Sequence, residues 1–144
     1  MKTPALMLTA LVALSAPAFA QESGFELPQQ CRPTMDHAGH HGHGDHAPMA
    51  GMEGDYADMP EHVQENMRRM AVTMPAMHEG MMIENPDVAF ACGMIAHHQG
   101  AIDMAEVLLE HGRDDQMRAL AEEIIAAQVE EIEVMTTWLA ENAE

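Results

Sequence analysis

From Met59 onward apolar residues recur at steps of three and four, and no stretch alternates as a strand would. This pattern predicts three helices. The first runs from about Met59 to Gly80, with Asp58 and Pro60 as its start signals, and carries a stripe of Val63, Met67, Met70, Met74, Met77 and Met81. Pro75 lies inside it and removes an internal hydrogen bond, which predicts a kink or break near Thr73. The second helix opens at Asn85-Pro86-Asp87, an N-cap followed by a first-turn proline and acid, and closes at Gly112. At about 100° per residue, Phe90, Ala91, Met94, His97, His98, Ala101, Ala105 and Leu108 share one face, opposite Gln99, Asp103, Glu106 and Glu110. The third starts at Asp114 or Asp115, reaches about Glu141, and aligns Met117, Leu120, Ala121, Ile124, Gln128, Glu131, Met135, Trp138 and Leu139. Short links make sequential helices antiparallel, so the expected fold is all-α, an antiparallel bundle of three to four helices.

Ahead of this body, which is expected to occupy residues 57–144, the pattern changes twice. Residues 1–20 read as a signal peptide: Lys2, an apolar run over Ala5–Ala16, and the cleavage motif Ala18-Phe19-Ala20. Cleavage after Ala20 implies a periplasmic product, and the run is too short for a good membrane span, so no membrane insertion is expected afterwards. Residues 21–56 show neither helical nor strand period and are expected to form a disordered tail. That tail concentrates Met35, His37, His40, His41, His43, His46, Met49 and Met52, a metal-binding composition, whereas an inert spacer favours Gly, Ser or Pro.

Composition sharpens this. The chain has 16 Met and 10 His but only 3% aromatic residues, and its formal net charge of −18 repels phosphate backbones and anionic lipid. Nucleic acid is therefore not an expected partner. A core would ordinarily use Leu, Ile or Val, so a ladder of methionines is either flexible filler or a set of soft ligands. His97 and His98 lie on the inner face beside Met94, with Met104 at its edge. Gln128 and Glu131 are polar groups within an apolar stripe, and unpaired burial of either would cost several kcal/mol. A protonated histidine is the ordinary structural partner for Glu131. Folding the second and third helices about Gly112–Arg113 sets His98 against Gln128 and Met94 near Glu131–Ile132. Folding the first back about Met82 brings Met67 and Met70 to the level of His97–His98. Cys31 and Cys92 suit a disulfide in an oxidising compartment, with copper-ligating thiolates as the alternative; Cys92 falls on the outer face, away from these groups, which favours the bridge.

The segments Met94–Ala105 (MIAHHQGAIDMA) and Gln128–Leu139 (QVEEIEVMTTWL) resemble a bacterial extracytoplasmic family, the CopM-like copper-binding family catalogued as domain of unknown function 305. The resemblance covers about Asp58–Glu144. It implies a ferritin-like helical bundle that binds copper through Met and His, with Met94, His97, His98, Met104, Gln128, Glu131 and Met135 as signature positions. Ala96 stands where the family usually has proline, which implies a locally straighter second helix.

Glu-x-x-His pairs, His-Glu-x-x-His, Gly-rich phosphate loops and nucleophile elbows are all missing from the chain, and no enzymatic activity is expected. The expected function is a periplasmic copper-binding protein that sequesters or transfers copper. Thioether with imidazole favours Cu(I) or Ag(I), while the His-rich tail suits Cu(II), Ni(II) or Zn(II). Metal ions and periplasmic copper-handling proteins are the expected partners. Two alternatives stay open: a Zn/Ni buffer dominated by the tail, and a metal-independent helical interaction module whose Met face grips a partner helix.

Overall fold

A computed structural model describes residues 25–32 and 56–143. A short 3-10 turn, Gln29–Cys31, precedes three helices: α1 (Glu61–Met81), α2 (Pro86–His111) and α3 (Asp115–Asn142). The described residues contain no strand, and none of their helices is long and apolar enough to cross a membrane. The predicted caps of α2 and α3 form, whereas α1 starts after Pro60 with no side-chain cap, so Asp58 does not cap it as expected. Asn85 accepts hydrogen bonds from the backbone N–H groups of Asp87 and Val88, and Asp114 accepts one from Met117. Each such cap satisfies amide donors that the helix cannot, worth about 1 kcal/mol. At the far end of α2, Arg118 donates to the carbonyls of Leu109 and Gly112, tying the turn into α3.

α1 runs unbroken through Pro75, against the break expected there. The carbonyl of Ala71 loses its partner, but Ala71 and Pro75 are both exposed and water can replace the bond.

The bundle is open. α2 lies in the middle, α1 and α3 pack against it, and they barely meet each other. α1 makes its closest backbone approach through small residues, with Met81 packed beside them against Gly93. A Cβ on Gly80 would lie 2.8 Å from the backbone of both Cys92 and Gly93, and one on Gly100 would meet Thr73 Oγ1 at 3.3 Å. Thr73 and Gly80 are the buried residues of α1. An apolar cluster sits at one end, where Cys31, Val88, Ala91, Cys92, Ile95 and Leu139 are buried with Phe25, Leu27, Ile83, Ile132, Met135 and Trp138 packed against them.

Residues 25–32 therefore belong to the folded body, which corrects their assignment to the tail. The expected disulfide links Cys31 to Cys92, both buried, and fastens this segment to α2. The expected signal peptide, residues 21–24 and the Met- and His-rich stretch from Met35 to Met52 lie outside the described residues. The two described ends flanking that stretch are far apart: Arg32 adjoins the Cys31–Cys92 cluster, whereas Tyr56–Pro60 leads into α1 at the opposite end, where His62 lies near His111.

Candidate metal centre

The two adjacent histidines of α2 separate, because one residue step turns a helix by about 100°. His98 takes the α3 side and is 4% exposed. Its Nε2 is hydrogen-bonded to a carboxylate oxygen of Glu131, while its Nδ1 is enclosed and has no partner. Glu131 is the anomalous acid predicted to need a partner, and its partner is His98, one turn from the predicted register, which set His98 against Gln128. Gln128, one turn along α3, is half-buried with Oε1 likewise enclosed and unpaired. Met94 is half-buried on the same stripe of α2, four residues before His98. Met135 packs onto the cluster around Cys31 and Leu139.

His97 does not point into the packed interior as expected. It is exposed, its ring centroid 5.8 Å from that of His98, because no helix covers that side of α2. The expected level of Met67 and Met70 is also wrong. Gly80 lies on Cys92–Gly93, Thr73 on Gly100, and Arg69 pairs with Asp103 and Glu106. His97 is consequently level with Ala76, and Met67 and Met70 sit about two turns away, beside Asp103–Glu106. The chain climbs through Met82–Asn85, with Ile83 in the end cluster, before α2 begins, so the hairpin is offset. Met74 and Met77, members of the stripe left out of the expected ligand set, bracket the His97 level instead.

The methionine stripe of α1 nevertheless shares a side with His97. A Cβ on Gly93 would lie 2.9 Å from Met81 Cγ, and Gly93 is one turn before His97 on the same side of α2. Met104, two turns beyond His97, is 51% exposed and lines a groove of about 230 Å³ with Ala101, Leu108, Met117, Leu120 and Ile124. The uncovered side of the bundle thus carries thioethers along its length, those of α1 near the level of His97 and those of Met104 and Met117 in a separate groove toward the α2–α3 turn. Among the described residues no three His, Cys, Asp or Glu side chains come together as a metal cluster.

Sequence reading missed the polar clasp of α1 on α2. Arg69 reaches Glu65, Asp103 and Glu106, two of which had been assigned to the wet face of α2. Burial pushes the Asp103 carboxyl above its ordinary value, against the opposing hydrogen bond from Gln99 and charge of Arg69. The hydrogen bond from Arg69 holds Glu65 below its ordinary value despite burial. The seven-residue spacings Thr73/Gly80 and Gly93/Gly100 were the available signal for this contact face.

A family model described as a domain of unknown function (DUF305) matches residues 18–139, spanning the disulfide-fastened segment as well as the helices. No curated protein matches the chain.

Proposed function

Because the chain belongs to the DUF305 family, whose description assigns no activity, we propose a function from its own residues: a periplasmic copper-binding protein of the CopM-like kind, which sequesters or transfers copper. One observation carries this reading. On the uncovered side of the bundle Met74 and Met77 bracket the level of His97, with Met81 against Gly93 one turn away, and Met94 lies one turn before the buried His98 on the same stripe of α2. Thioether and imidazole together are soft donors that select Cu(I), and Ag(I) by the same chemistry. Exposed thioethers leave such ions exchangeable, which suits a carrier or buffer better than a permanent cofactor site. The histidine-rich stretch supplies borderline donors for further ions. The charge of −18 concentrates cations around the whole molecule.

Competition titration of the signal-free chain with Cu(I) against a chromophoric chelator tests the proposal. Binding no tighter than that of a bundle without Met and His rejects it. His97→Ala combined with Met94→Leu is expected to remove the helical share of the copper and leave that of residues 35–52. If deleting 35–52 removes nearly all uptake and the double change none, the tail-dominated Zn/Ni buffer is the better account.

A further inference from the structure

We propose that Glu131 is a positioning residue, not a ligand: it fixes the His98 ring so that Nδ1 is the atom offered to a soft monovalent ion, Cu(I) or Ag(I). This rests on the copper-binding reading and assigns roles within it. A carboxylate can only accept, so the bond between Glu131 and Nε2 requires the proton to sit on Nε2. In the neutral ring Nδ1 is then a bare lone pair, and it is enclosed without a donor. Gln128 Oε1, one turn along α3, is a second enclosed acceptor without a donor. An enclosed acceptor with nothing to donate to it, as Nδ1 is and Gln128 Oε1 is one turn away, calls for a cation or a donating water, since leaving it unpaired is costly.

A ligand histidine that gives its other N–H to a carboxylate is the usual arrangement in metal proteins, where the carboxylate sets tautomer and ring orientation. The exposures divide the roles in the same way. The His98 side chain is 5% exposed, whereas that of Glu131 is 60% exposed and reaches the ring from the rim. Met94, one turn before His98 on the same stripe, provides the nearest thioether along the helix.

Ring-nitrogen NMR of the full signal-free chain, titrated with Ag(I) at neutral pH, tests the assignment. The expected result is that Nε2 carries the proton in the neutral form of the His98 ring, and that Nδ1 shifts strongly as Ag(I) is added. Glu131→Ala is expected to mix the tautomers and weaken Ag(I) binding at His98 about 10–100-fold. Glu131→Gln, which keeps an acceptor, restores most of it. A ring protonated on both nitrogens before metal is added makes the contact a structural ion pair and overturns the proposal. So does a Glu131→Ala variant with unchanged tautomer and affinity. Ag(I) binding elsewhere with His98 unperturbed overturns it too, but leaves the copper-binding reading standing. No Ag(I) or Cu(I) binding at all removes both.

Discussion

Arg69 joins carboxylates whose protonation is driven in opposite directions, and this gives the fold a pH signature. Asp103, with its carboxyl raised above 3.8 by burial, binds its proton more readily folded than unfolded. Its ionised form therefore costs stability, the cost growing as pH rises through the window above 3.8 and complete at neutral pH. Asp103→Asn keeps an acceptor for Gln99 and is expected to raise the urea midpoint at neutral pH, with the gain fading as pH falls below that window. Glu65 is held below 4.5 by Arg69, so its contribution is present above 4.5 and lost as pH falls through its lower folded value. Glu65→Gln should accordingly destabilise at neutral pH and become neutral in acid. Gly80 makes a second residue-scale case. It is required by close approach, because an added Cβ would meet backbone rather than a yielding side-chain end. Gly80→Ala gains about 1 kcal/mol of helix propensity but loses about 1–3 kcal/mol to overpacking. A net loss, read as a lower thermal midpoint, is expected.

Helix boundaries were legible because they are local chemistry. Asn85 with Pro86, Asp114, and Gly112 name the caps, and α2 and α3 begin where these residues dictate. The α2–α3 register was legible to within one turn, because the hairpin between them is tight and Arg118 clamps it. The α1–α2 register was not. Nothing local reports how far the chain travels after Met81 before it reverses, and Ile83 is drawn into a cluster built by residues distant in sequence. Pro75 shows the same limit: its local preference for a break yields to packing of Thr73 and Gly80 against α2. Restoring the missing N–H with Pro75→Ala is expected to stabilise α1 by about 1–3 kcal/mol, checked by denaturant unfolding and by slower exchange around that turn. Reducing the Cys31–Cys92 bridge, which closes a separation of 61 residues, removes about 4 kcal/mol in the chain-entropy model. Thermal unfolding with and without reductant reads that directly.

At the scale of the whole molecule, the decisive fact is that α1 and α3 flank α2 without closing over it. In a closed bundle the methionine stripe would be core and its sulfur inaccessible. Here α1 docks through Thr73 and Gly80, and the stripe turns outward by about a quarter of the helix circumference. Amphipathic periodicity identified the stripe but could not say which of two neighbouring faces, the small or the sulfur-bearing, would meet α2. The small one wins because it lets the backbones approach. The offset register then decides which thioethers stand near the exposed imidazole. Met74 and Met77 bracket the level of His97, whereas Met67 and Met70 lie beside Asp103 and Glu106. If His97 and neighbouring sulfurs share the tightest helical copper, Met74→Leu with Met77→Leu weakens that step in a Cu(I) competition titration by at least tenfold. Met67→Leu with Met70→Leu leaves it nearly unchanged, although both pairs remove two thioethers and keep their apolar bulk. Equal losses from the two pairs would mean that copper follows the number of sulfurs rather than their place in the bundle.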